Sequence, residues 1–264
     1  MTAPSTIFAA GLLEGRHVLV TGGGTGIGLA VAREAGRLGA RVTLAARRGD
    51  VLAQACETLR VEGIDAAWHS LNIRDNDAVV AVMDEIAASR GLPDFLINNA
   101  GGQFGAKATD ISPNGFRAVM DLNVQGTWQM SHAFATRHIA AETPGRIVNV
   151  VFSHTDAMQF FAHAAAARAA VVNLTRTLAL EWGDHGILVN AVGPGPVQTE
   201  GIEQYDESMS GSGRIANMPV PRWGRPDETA WLVVYLLTPA GDWITGSVFS
   251  IDGGSQLVGR RLEA

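Results

Sequence analysis

Thr21-Gly22-Gly23-Gly24-Thr25-Gly26-Ile27-Gly28 stands between a β-branched run, His17–Thr21, and a helical stretch, Ile27–Leu38. The spacing Gly22-x3-Gly26-x-Gly28 lets backbone approach a pyrophosphate while the following helix turns its N-terminus toward the charge. Glycine-rich turns are common, but one placed between a strand and a helix points to a dinucleotide. The rest of the chain repeats that strand–helix unit. Arg41–Ala45, Ala66–Leu71, Asp94–Asn98, Arg146–Phe152, Ile187–Ala191 and Ser247–Ile251 read as strands. Asp50–Glu62, Asp75–Ser89, most of Asn114–His138, Phe161–Gly183 and Pro226–Leu237 read as helices. Such alternation implies right-handed crossovers, and so an α/β doubly wound Rossmann fold: one mostly parallel seven-stranded sheet with helices on both faces. No linker, repeat or low-complexity block divides residues 1–264, so a single domain is expected. The irregular stretch 193–223 is long for a connection and reads as a substrate loop.

Composition agrees with that reading. Hydrophobic residues make up 47% of the 264 and glycines number 31, which suits buried parallel strands joined by tight turns. A net charge of −6 argues against nucleic acid or an anionic membrane as partner and leaves a small-molecule substrate. Cys56 is the only cysteine, which excludes an internal disulfide and a cysteine-based metal site. No apolar run reaches membrane-spanning length, and Met1–Ala10 lacks the basic start of a signal peptide, so a cytoplasmic protein is expected.

The second strand bears on the kind of nucleotide. An NAD-binding chain usually ends this strand with an acid that holds the ribose 2′-hydroxyl. Here the end reads Ala45-Ala46-Arg47-Arg48. Arg47, with Arg48 beside it, suits a forked contact to a 2′-phosphate and points to NADPH (NADP+). The plainer alternative is a pair of solvated arginines at a helix start.

Further motifs extend the pattern: Asn98-Asn99-Ala100-Gly101 after the fourth strand, Asn123 within Leu122–Gly126, Pro194-Gly195 followed by Thr199, and Asp252-Gly253-Gly254. With Thr21–Gly28 they make the chain resemble the short-chain dehydrogenase/reductase family over nearly its whole length. Thr21, Gly22, Gly24, Thr25, Gly26, Ile27 and Gly28 are then the expected pyrophosphate turn. The resemblance implies that Asn72 and Ile73 border the adenine, Asn99, Ala100 and Gly101 the ribose side, and Pro194, Gly195, Val197 and Thr199 the carboxamide. It also implies that the helices holding Asn123 and Arg168 pair across a two-fold, giving a dimer or tetramer.

The chemical half of the family pattern is broken. Its usual machinery is Asn, Ser, Tyr and Lys. The tyrosine gives a proton to oxygen as hydride reaches carbon; the lysine four residues on lowers the tyrosine's pKa and holds ribose. Those two places read Ala164 and Arg168, in His163-Ala164-Ala165-Ala166-Ala167-Arg168. Lys107 is the only lysine, and neither Tyr205 nor Tyr235 has a lysine four residues on. Arg168 keeps the positive charge and suits ribose hydroxyls, but it relays no proton. The family's serine place, three residues after Asn149, reads Phe152; Ser153 stands one place late, which leaves open whether it faces the site. The catalytic candidates are Asn123 (through a water or backbone geometry), Ser153, His163 and Arg168, with His154 as a further donor. Each has a plainer reading: a helix–strand joint for Asn123, a solvated turn for Ser153 and His154, a cap or interface for His163, and an interface for Arg168. Gln103 and Phe104 are expected to line an acyl pocket, and Tyr205 to cover substrate from the loop or to swing its phenol in.

The altered pattern has its own likeness. Asn98–Phe104, Asn72-Ile73-Arg74, His163–Ala169 with Asn173-Leu174-Thr175, and Ala9–Gly15 resemble the NADPH-dependent 2-enoyl-CoA and 2,4-dienoyl-CoA reductases, most of all the peroxisomal trans-2-enoyl-CoA reductases. That branch, too, carries alanine and arginine in the Tyr–Lys places. Reducing an enoyl thioester creates a delocalised enolate instead of an alkoxide, so hydrogen-bond donors at the thioester oxygen can replace a phenol. The expectation is an NADPH-dependent reductase of an activated C=C bond, with an enoyl-CoA as substrate. Two alternatives stay open: an inactive nucleotide-binding scaffold or sensor, and a ketone or imine reductase whose donor is Tyr205 or His163.

Overall fold

The computed structural model describes residues 5–152, 158–200 and 215–258. Seven strands lie side by side in the order β3-β2-β1-β4-β5-β6-β7, every pair parallel. They are β1 His17–Thr21, β2 Arg41–Ala46, β3 Ala66–Ser70, β4 Phe95–Asn98, β5 Gly145–Val150, β6 Ile187–Pro194 and β7 Val248–Ile251. The helices are α1 Gly26–Arg37, α2 Gly49–Val61, α3 Asn76–Arg90, α4 Pro113–Met120, α5 Gly126–Ala140, α6 Ala162–Trp182 and α7 Pro226–Leu237. Strand order reverses between β1 and β4, which opens a crevice at the carboxyl ends of the central strands.

The strands alternate their apolar side chains between two cores. Val18 and Val20 of β1 pack with Val31, Leu52 and Val233 on the α1, α2 and α7 side. Leu19, between them, packs with Met83, Met130 and Phe134 on the α3 and α5 side. The period of two comes from the pleat, and each fully buried aliphatic contributes about 1.5–3 kcal/mol. The sheet is thus covered on both faces, as all-parallel sheets require.

Two strand ends differ from expectation by more than one residue. β5 stops at Val150, short of Phe152, whose ring instead lies 5.7 Å from the Arg168 guanidinium. β6 runs on past Ala191 to Pro194 because β7 gives it partners, Val192↔Phe249 and Pro194↔Ile251 among them. Gly193 and Pro194 therefore belong to the sheet and not to the irregular loop.

The stretch Asn114–His138 is not one regular helix either. α4 and α5 join through a π-helical turn, Asp121–Gln125. Side-chain hydrogen bonds accompany the turn: Asn123 Nδ2 donates to the Val119 carbonyl at 2.7 Å, and Thr127 Oγ1 to the Asn123 carbonyl at 2.8 Å. Side chains thus occupy carbonyls one turn back and compete with the α-helical ladder.

A polar seam crosses the otherwise apolar centre. Asn98 Nδ2 donates to Ser131 Oγ at 2.8 Å and to Asn149 Oδ1 at 2.9 Å, and Asn149 Nδ2 donates to Thr175 Oγ1 at 2.9 Å. All four are buried. The seam ties β4 and β5 to α5 and α6.

His17 is also fully buried, with Nδ1 on the Gly91 carbonyl and Nε2 on Thr43 Oγ1. Since a carbonyl only accepts, Nδ1 carries the proton of the neutral ring. Burial lowers its pKa to about 4, against a weaker raising by the Gly91 carbonyl. The folded state therefore binds this proton less readily than the unfolded chain. Stability is full above the unfolded value near 6.5 and declines as pH falls from there to about 4, by roughly 3 kcal/mol. Urea melts at pH 7.5 and 4.5 will show that decline, and His17→Gln will shrink it; an equal decline in the variant would assign it to other groups.

Among the described residues no helix is long and apolar enough to cross a membrane, and no cluster of ligating side chains would hold a metal ion.

Candidate active site

The carboxyl ends of the central strands open on one cleft of about 470 Å³. Gly22, Gly24, Thr25, Gly26 and Ile27, from the β1–α1 turn, form one wall. Thr25 caps α1 with no side-chain hydrogen bond, and no acid stands in the first turn. The first amides of the helix are therefore left for an anion. Thr21 and Gly28 shape this turn from behind instead of lining it. Thr21 Oγ1 accepts from the amides of Asn99 and Ala100, both at 3.0 Å. Gly28 packs so tightly that a β-carbon would lie 2.4 Å from the Gly22 carbonyl oxygen.

Ala46, Arg47 and Arg48 line the cleft at the end of β2, with both arginines exposed. Asn72 and Ile73 follow β3. Asn72 Oδ1 accepts from Arg74 Nε at 3.2 Å, which turns the Asn72 amide hydrogens toward other partners. Asn99, Ala100, Gly101 and Gln103 enter from β4, and Pro194, Gly195, Val197 and Thr199 from β6. The cleft also takes Val51, Gly102, Leu122, Val150 and Val151, none of which was expected as a site residue. Val150 and Val151 were open to a simple rule, that residues at the carboxyl ends of neighbouring strands meet at the crevice.

Asn123 is buried and committed to backbone. Its Oδ1 accepts from the Gly102 amide at 3.2 Å, while Nδ2 donates to the Gly102 and Val119 carbonyls at 2.8 and 2.7 Å. The side chain thus clamps the Gly101–Phe104 loop to the π-helical turn.

Arg168 comes from α6 into the same cleft. It is buried, with Nη1 donating to the Val150 carbonyl at 3.0 Å and Nε unpartnered. No carboxylate pairs with it among the described residues. Burial lowers its pKa to about 10, so it stays charged at neutral pH.

One turn earlier, Ala164 is buried with Val119, Phe161 and Ala167, and Phe152 and Met158 pack against that cluster. His163 is wholly buried beside it. Its Nδ1 accepts the Ala164 amide at 2.8 Å, which puts the proton of the neutral ring on Nε2; among the described residues Nε2 has no hydrogen-bond partner. Burial holds its pKa below the ordinary histidine value. Phe104 does not line the cleft: its ring meets His163 edge-on, centroids 4.4 Å apart. Ser153, His154 and Tyr205 lie outside the described residues.

A family model described as enoyl-(acyl carrier protein) reductase matches residues 22–256. The chain belongs to the short-chain dehydrogenase/reductase family. As a member it is an oxidoreductase-family protein built to hold a nicotinamide dinucleotide. A probable 2,4-dienoyl-CoA reductase of Bacillus subtilis is 35% identical over 249 residues, 93% of this chain and 98% of that one. A peroxisomal 2,4-dienoyl-CoA reductase of Arabidopsis thaliana is 35% identical over 258 residues, 94% of this chain and 86% of that one. Among solved structures, a gluconate 5-dehydrogenase of Burkholderia cenocepacia, in complex with NADP and tartrate, superposes with a TM-score of 0.87 at 31% identity, over 92% of this chain and 96% of that one.

Proposed function

We propose that this protein is an NADPH-dependent reductase of a C=C bond conjugated to a thioester, an enoyl-CoA, working without the family's phenol donor. The observation that carries the reading is Ala164: a buried methyl, one turn before the cleft-lining Arg168, stands where a carbonyl reductase of this family needs a hydroxyl. The two dienoyl-CoA reductases among its relatives support the substrate class. The neighbour complexed with NADP supports the cofactor, as do Arg47 and Arg48 at the mouth of the cleft.

The uncapped start of α1 suits the pyrophosphate, Arg47 with Arg48 the 2′-phosphate, and Arg168 the ribose hydroxyls. When bound, the dinucleotide supplies a hydride. The chain's own work is then to hold the substrate oxygen that gains charge and to keep bulk water out. A donor at that oxygen is worth about 3–4 kcal/mol. Asn123 serves as a positioning residue, since its amide is spent on Gly102 and Val119. The proton for the α-carbon comes from water in this reading, which costs some of the roughly 10²–10⁴-fold that a placed acid supplies.

Mixing the protein with NADPH and crotonyl-CoA or a longer enoyl-CoA tests the proposal. Oxidation of the reduced nicotinamide is the expected result. Tight NADPH binding with no turnover would favour a nucleotide-binding scaffold, and turnover of ketones that vanishes in Tyr205→Phe would favour the phenol of the loop.

Ala164→Tyr will not create a ketone reductase. The site is packed, so a phenol overfills it at a cost of about 1–3 kcal/mol, and no lysine stands beside it. Ketone reduction by that variant would show that Arg168 can do the lysine's work.

A further inference from the structure

The cluster around Ala164 holds a donor that the fold leaves unused. His163 Nε2 bears a proton, is wholly buried and bonds to nothing among the described residues. Leaving such a group unpaired costs about 1–3 kcal/mol. What lies against it is the Phe104 ring, edge-on at 4.4 Å and 40% exposed. That ring also rests on Gly115 of α4, where a β-carbon would lie 2.9 Å from it. The backbone carrying Phe104 is fixed on both sides: Asn123 clamps Gly102, and the Ala106 amide donates to the Phe160 carbonyl at 2.9 Å. Phe160 itself sits at φ +68°, a costly conformation for a side chain of that size. Motion at this point therefore belongs to the ring and not to the loop.

We propose that Phe104 covers His163 in the free protein, and that the ring turns aside when an enoyl thioester enters, so that the neutral imidazole Nε2–H donates to the thioester oxygen. The assignment rests on the enoyl reductase reading and names the donor which that reading requires. Gln103, the residue before Phe104, lines the cofactor cleft, so the displaced ring stays next to the reacting end. No proton is transferred by His163: the N–H hydrogen-bonds to the oxygen while the charge of the enolate builds there. A neutral imidazole suits this role because it starts and ends the cycle in the same state.

The test compares His163→Leu and His163→Gln in the full-length protein with NADPH and crotonyl-CoA. An apolar pocket accepts leucine, and glutamine keeps an N–H at comparable reach. The leucine variant will lose about 10²-fold in kcat with its Kd for NADPH unchanged, and the glutamine variant will recover most of that loss. Wild-type kcat will be flat between about pH 7 and 8.5, as a donor that burial keeps neutral requires. Equal losses in both variants would make His163 structural, and full kcat in the leucine variant would remove it from the reaction; either overturns the assignment while the enoyl reading stands. Absence of turnover by the wild-type protein overturns both together.

Discussion

Arg168→Met will lower kcat/KM for NADPH-dependent reduction by about 10³-fold, yet the variant free of cofactor will melt no lower than the wild type. The two halves of that result have one origin. Among the described residues, Arg168 is a buried cation with one hydrogen bond, to Val150, an unpartnered Nε and no carboxylate beside it. Its pKa, lowered to about 10, means that burial disfavours the charged form by roughly 3 kcal/mol. Methionine fills similar space without that penalty, and the Val150 carbonyl gives up a bond worth about 1 kcal/mol. What methionine cannot do is reach a polar ligand. Two hydrogen bonds from a guanidinium are worth about 1.5–3 kcal/mol each, hence about 10²–10⁴-fold in rate or affinity. Calorimetry and steady-state kinetics on one preparation separate the effects. A melting point that falls by several degrees would show that Arg168 is chiefly a tie between β5 and α6.

Arg47→Ala will raise the Kd for NADPH by about 30–100-fold and leave that for NADH within a factor of about three. The guanidinium stands exposed at the end of β2, beside Arg48 and next to Ala46, where an acid would be needed for a free 2′-hydroxyl. Among the described residues neither Arg47 nor Arg48 takes part in an ion pair; the nearby arginines that do are Arg33, with Glu62, and Arg90, with Asp65. A forked contact to a doubly charged phosphate accounts for 10–100-fold, and screening of an exposed charge predicts that the preference shrinks as salt rises. Fluorescence titrations with both cofactors at two ionic strengths check it. Equal weakening of NADPH and NADH would mean that Arg47 supports the β2–α2 turn and not the phosphate.

The sheet was legible because its signals are local. Glycine spacing after His17–Thr21, and apolar runs separated by helical stretches, need no knowledge of what packs where. The cleft wall followed from the same rule, since strand ends gather at one edge. The π-helical turn was not legible: nothing in Asp121–Gln125 announces that the Asn123 amide will seize the carbonyl of Val119. That choice depends on Gly102 being opposite, a tertiary fact. Arg168 and Ala164 were visible as residues that depart from the pattern, but their burial was not. The Phe104–His163 contact joins residues 59 positions apart through the docking of α6 on a loop from β4, beyond the reach of any spacing rule.

The seam of Asn98, Ser131, Asn149 and Thr175 bears on how such a protein can diverge. Each member satisfies another in the dry centre of the sheet, so an apolar change at one strands its neighbour's polar atom. A single apolar step in this quartet leaves a buried polar atom unpaired, a cost to the fold that exposed residues at the cleft's rim do not carry. Descendants of this chain should therefore keep or exchange the quartet as a block while their pockets drift, and a grafted α6 will dock only onto a β5 that brings its matching asparagine.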